Sequence, residues 1–144
     1  MISPYGNILI KLHNFEQQLD KILIDSVKKF EAEIIDMNTA QLDAGINGEG
    51  NPIEPAYTGF TVRVKQEKGQ EYRFPTLEDE GDFKRRFFMT TGKDYFALGS
   101  SDIKTQKLER KYGKDIFGLT QENIDAVKDL IRPDVIEALK LYIQ

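Results

Sequence analysis

The tightest constraint on this chain is the stretch 41–54, Gln-Leu-Asp-Ala-Gly-Ile-Asn-Gly-Glu-Gly-Asn-Pro-Ile-Glu. Gly45, Asn47, Gly48, Gly50, Asn51 and Pro52 together forbid a regular element there. Glycine and asparagine tolerate turn conformations, and proline has no backbone N–H to give to a ladder. Gly45 suits the left-handed position just past a helix C-cap. Asn47-Gly48 and Gly50-Asn51-Pro52 then reverse the chain. Any element upstream must therefore end here, and the downstream chain must start a new one.

Upstream, apolar residues recur at helical spacing. Ile8-Leu9-Ile10-Lys11-Leu12 fits either a short strand or the first turns of the helix. Asn14 with Gln17 three residues later matches a capping box, which starts the helix at Phe15 and predicts it over 15–43. Counted from Phe15 at roughly 100° per residue, Leu19, Ile22, Leu23, Val27, Phe30, Ile34 and Met37 fall in an arc of about 140°. Ile24, Ile35 and Leu42 fall near 180–200° on the other side, about where Lys28 and Glu31 lie. A second apolar line of this kind is explained either by a helix sandwiched within its own fold or by contact with another subunit. Ile24, Ile35 and Leu42 are accordingly the candidate subunit or partner interface.

Downstream, over 55–100, the chain reads as short strands and turns. Phe60-Thr61-Val62-Arg63-Val64-Lys65 alternates as a strand does, with a short helix as the alternative. Phe87 to Thr90 and Tyr95 to Leu98 flank Thr91-Gly92-Lys93-Asp94 in a hairpin pattern. A charged helix is expected over 102–112, closed by Gly113, and a last helix over 121–142 capped by Thr120. In that helix Ile124, Val127, Ile131, Val135, Ala138 and Tyr142 form one stripe, with Pro133 on the opposite face. One kinked helix and two abutting helices fit equally well. The expected architecture is a single α+β domain spanning 1–144: a long N-terminal helix, a small antiparallel sheet with hairpins, and one or two C-terminal helices.

Composition narrows the function classes. A net charge of −4 argues against a protein that works by neutralising phosphates, so no sequence-specific nucleic-acid binding is expected. With no cysteine, disulfides, thiolate nucleophiles and zinc–thiolate sites are excluded. The first residues carry no basic region before an apolar run, and no apolar run approaches the ~20 residues of a membrane span. No membrane partner is expected.

No catalytic constellation emerges. His13 is the only histidine, and a partly buried structural role is expected for it. Asp43, Asn47, Gly48 and Glu54 imitate part of a calcium loop, yet Gly45 brings no oxygen and Pro52 disrupts the pattern. The acidic run Glu78-Asp79-Glu80-Gly81-Asp82 could suggest magnesium, but adjacent carboxylates in a loop do not in general converge. The neighbouring Lys84-Arg85-Arg86 is expected to pair on the surface rather than hold phosphate. No catalytic, cofactor or metal site is assigned, and an enzyme built on the acidic run ranks behind two non-enzymatic readings.

Those readings come from the order of the pieces. The 42–53 turn closes a long helix, and Tyr57, Thr61, Lys65 and Lys68-Gly69-Gln70 come next. Leu77 to Phe83, a hairpin, Leu108-Glu109-Arg110-Lys111-Tyr112-Gly113 and Ile116-Phe117-Gly118-Leu119-Thr120 complete the order. Over about residues 34–144 this resembles the tailed-phage virion morphogenesis family, the tail-completion or head–tail joining proteins. Glu80 stands where that family has Ser or Thr, and Asp115-Ile116 replaces its Pro-Ala-Arg. The resemblance implies a structural bacteriophage protein of the neck or tail region, made in the bacterial cytoplasm. Its partners would be copies of itself in a ring and other neck, portal or tail proteins. The alternative is a protein-binding adaptor or regulator encoded by a mobile element.

Overall fold

A computed structural model describes residues 4–77 and 81–143, with side chains from Asn14 onward. The fold is α+β and mostly helical. Helix α1 spans Pro4–Lys29 and α2 spans Glu31–Asp43. Helix α3 covers Gly59–Glu67 and a single turn, α4, covers Asp82–Arg85. Strands β1 (Phe87–Thr91) and β2 (Phe96–Ser100) form the two-stranded antiparallel sheet. Helix α5 (Thr105–Tyr112), a 3-10 turn (Lys114–Ile116) and helix α6 (Gln121–Ile143) complete the chain.

The first helix differs from the sequence expectation in two respects. It begins at Pro4 rather than Phe15, because proline at the first helical position loses no bond the helix would have made. Asn14 is therefore an interior, exposed residue rather than a cap. The helix is also interrupted at Phe30, whose amide bonds back to the Val27 carbonyl at 3.0 Å. No glycine or proline marks this break. Phe30 instead packs with Val27, Ile34 and Met37 in a core cluster, so a tertiary contact fixes its place.

α2 ends as its sequence dictates. Gly45 takes φ +74°, its amide bonds to the Leu42 carbonyl, and the Ile46 amide bonds to the Gln41 carbonyl. This is a Schellman closure. Asn47 then organises the turn, its Oδ1 accepting from the amides of Glu49 (3.0 Å) and Asn51 (3.1 Å). The Gly48 amide donates to the Asp115 carbonyl at 2.6 Å, which ties the turn to the segment before α6.

That segment is gripped by two buried amide side chains of α2. Asn38 donates to the Ile116 carbonyl and accepts from the Gly118 amide, both at 3.0 Å. Gln41 donates to the Gly118 carbonyl (2.9 Å) and accepts from the Thr120 amide (3.0 Å) and from the Asn123 side chain. Thr120 in turn caps α6 through the Asn123 amide. Most of 116–120 runs across the core without regular secondary structure, so these side chains supply the partners a helix or sheet would have given.

The core lies on both sides of α2. Leu42, Ile53, Leu77, Phe83, Phe87 and Ile116 form one cluster, joined by Ile35, Leu108, Tyr112 and Phe117. Phe83, Phe87 and Phe117 stack there with ring centroids 5.1–5.8 Å apart. Val27, Ile34, Leu119, Val127 and Ile131 form the other, joined by Met37 and by Met89, Phe96 and Leu98 of the hairpin. The hairpin pairs Phe87 with Ser100, Met89 with Leu98 and Thr91 with Phe96, close to the boundaries expected. α6 is one helix, with Pro133 on its exposed face, and it lies antiparallel to α1. Phe15 meets Tyr142 (5.9 Å between centroids), and Lys29 meets Asp134 (3.5 Å).

The strand expected over 60–65 is a helix instead. Thr58 caps α3 by accepting from the Thr61 amide at 3.3 Å, and Gly69 at φ +70° closes it. Among the described residues the alternation of Phe60, Val62 and Val64 has no partner strand. The cap and the closing glycine decide the matter, since strand preference depends on having a neighbour to pack on.

Two substitutions test this account by urea unfolding. Asn38→Ala leaves the Ile116 carbonyl and the Gly118 amide without these partners, and about 2–4 kcal/mol of stability is expected to go. A Cβ at Gly45 would crowd the Phe74 ring in a left-handed backbone, so Gly45→Ala is expected to cost about 2–4 kcal/mol.

Candidate functional site

The three residues read from sequence as an interface separate once the chain is folded. Leu42 has no exposed surface and belongs to the cluster with Ile53 and Phe87, and Ile35 packs against the same cluster. Leu42 is not available to another subunit, and Ile35 is half-buried against that cluster. The chain after α2 folds back over the face that a straight helix would have left to solvent. Ile24, on α1, keeps intermediate exposure.

The chemical candidates do not converge. Asp43 of the calcium-like segment pairs with Lys84, and the Asn47 side-chain oxygen is taken by two backbone amides. Arg85 pairs with Asp82, and Arg86 lies 4.0 Å from Asp102, so the basic cluster sits among carboxylates. Glu78, Asp79, Glu80 and the His13 side chain lie outside the described residues. Among the described residues no group of three or more His, Asp or Glu side chains could hold a metal ion, and no helix is long and apolar enough to cross a membrane. A large carboxylate shift occurs on the surface. Hydrogen bonds from the Arg73 side chain and amide hold the Glu71 carboxyl down at about 2.

What the fold does build is a cleft of about 450 Å³ between α3 and α5. Its floor is apolar: Leu77, Phe83, Leu108 and Tyr112 come from, or pack against, the cluster that takes Leu42. The charged side chains among its described lining residues are mainly cationic. Lys65 and Lys68 come from α3 and its C-cap, Lys104 from the N-cap of α5, and Lys107 and Lys111 from α5 itself, with Asp82 the one acid among the described lining residues. Lys65 is only 8% exposed and lies over the Tyr57 ring, 5.0 Å from its centroid. A stacked cation of this kind offsets part of its own desolvation. Lys111 stacks on Tyr112 at 5.3 Å. Burial pushes the Tyr112 hydroxyl above its ordinary value, and the nearby Tyr57 adds to this. Phe60 stands at the lip, 72% exposed.

A second, shallower hollow of about 550 Å³ lies on the outer side of α2. Met37, Ala40, Ala44 and Ile46 line it, and Glu33, Asp36 and Glu122 supply the charges among its described lining residues. A third exposed apolar group occupies the far end of the α1–α6 pair, where Leu141, Tyr142 and Ile143 lie near Phe15. None of these surfaces was legible beforehand. The cleft depends on α3 being a helix, and the hollow depends on the start of α6 lying beside α2.

Urea unfolding distinguishes the core residue of the expected interface from the half-buried one. Leu42→Ala is expected to cost about 3–5 kcal/mol, and Ile24→Ala roughly 1–2 kcal/mol.

Neither family models, nor curated proteins, nor solved structures gave a match to this chain, so a reading of its function rests on the surfaces described above and on the order of its motifs.

Proposed function

We propose that this protein is a structural component of a tailed-phage virion, of the neck or tail-completion class, and that it works by assembly rather than by turnover. The observation that carries the assembly part is its surface. Large apolar side chains share that surface: Phe60, Ile103, Leu141 and Ile143 are each more than half exposed. Patches of this kind mark contact sites when they lie together, as the residues at the end of α6 do.

The phage part rests on the order of motifs along the sequence, and the fold is compatible with it: a long helix, the glycine turn, a hairpin, a short glycine-closed helix and a terminal helix. A ring subunit needs two different faces that meet side to side. An acidic net charge suits a conduit that must let DNA pass without retaining it.

Immunogold electron microscopy of purified particles tests this reading. Label at the head–tail junction is the expected result. A protein absent from particles, and recovered instead in a stoichiometric complex with one cellular protein, would shift the assignment to the adaptor class.

A further inference from the structure

We infer that copies of this chain join head to tail, the basic cleft between α3 and α5 of one copy receiving the acidic hollow on α2 of the next. This rests on the assembly reading and names the contact that would carry it.

The two surfaces match in both centre and rim. The cleft presents Phe60 and an apolar floor, with lysines the main charged groups among its described lining residues. The hollow presents Met37, Ala40, Ala44 and Ile46, ringed by Glu33, Asp36 and Glu122 with no cation among its described lining residues. An apolar centre with a charged rim is the usual anatomy of a protein interface, and rims of opposite sign steer association and fix register. Ala40 and Ala44, one helical turn apart and both exposed, leave room on α2 for a large side chain such as Phe60 from another copy. Lys65, Lys68 and Lys104 are engaged by neighbouring groups. The outward charge is therefore assigned to Lys107 and Lys111, which are exposed on α5.

The surfaces also point in different directions. With Ile34 as zero and roughly 100° per residue, Ile35 and Leu42 centre near 90° on α2. Glu33, Asp36, Ala40 and Ala44 centre near 245°, about 155° away. Ile35 and Leu42 face the cluster that also floors the cleft. Cleft and hollow thus lie on opposite sides of α2. Two complementary patches on opposite sides of one subunit cannot satisfy each other within a twofold dimer. They produce a heterologous contact, which closes into a ring if the rotation allows.

The test uses the full chain and sedimentation velocity over a concentration series. Lys107→Glu with Lys111→Glu makes both faces acidic, and Glu33→Lys with Asp36→Lys makes both basic. Each double variant alone is expected to self-associate at least ~10-fold more weakly than the parent. An equimolar mixture should regain association, because the acidic cleft of one variant then meets the basic hollow of the other, and so should a chain carrying all four changes. Circular dichroism melts check that the variants fold. Phe60→Ser, at an exposed position outside the core, is expected to weaken association without adding or removing a charge. A parent that associates while the double variants associate equally well overturns this contact but leaves the assembly reading intact. Failure of the mixture to recover also overturns it. A parent that stays monomeric at every concentration overturns it too, and the assembly reading is then decided by the particle labelling.

Discussion

Two amide side chains hold this molecule together. Asn38 and Gln41, one turn apart on α2, supply donors and acceptors to an irregular segment, 116–120, that crosses the core. Such a segment carries polar backbone groups into an apolar environment, where each unpaired group costs about 1–3 kcal/mol. An amide side chain offers both a donor and an acceptor, and here each is used on both sides. The same contacts set the start of α6, since Gln41 takes the Thr120 amide and Thr120 takes the Asn123 amide. The position of the last helix against the first therefore depends on α2.

α2 can serve in this way because it is packed on more than one side. One side meets the cluster of Leu42, Phe83 and Phe87, and another meets the cluster of Val27, Val127 and Ile131. A helix packed on two sides needs two apolar lines, and those lines are what the periodicity displays. The interruption at Phe30 lets α2 take this central place while α1 runs out beside α6. The amide side chains of α2 are used on the 116–120 segment, and Asp43, Asp82 and Arg86 on ion pairs. Among the described residues no group of side chains assembles to hold a metal.

The surfaces left over have a physical pattern. The cationic cleft and the acidic hollow fall on opposite sides of the central helix, and each has an apolar middle. The exposed end of α6 is separate from both. A protein that has to meet several neighbours at once needs patches that differ in charge and direction, so that each admits one partner and rejects the others.

Local punctuation was legible in the residue order: the Schellman closure at Gly45, the turn at Asn47, the hairpin at 87–100, the Thr120 cap, and the stripe of α6 through Ile124, Val127 and Ile131. These depend on backbone preferences and on pairings between near neighbours, which residue types specify directly. The break at Phe30, the helical state of 59–67, the burial of Leu42, and the double grip of Asn38 and Gln41 came from folding in three dimensions. Most of these depend on a partner distant along the chain. An apolar line on a helix states that something must cover it, but whether that cover is the chain's own later segments or another molecule is settled by where those segments fold. Here residues 53, 77, 83, 87 and 116 provided it, which moved the open surfaces to α3, α5 and the outer side of α2.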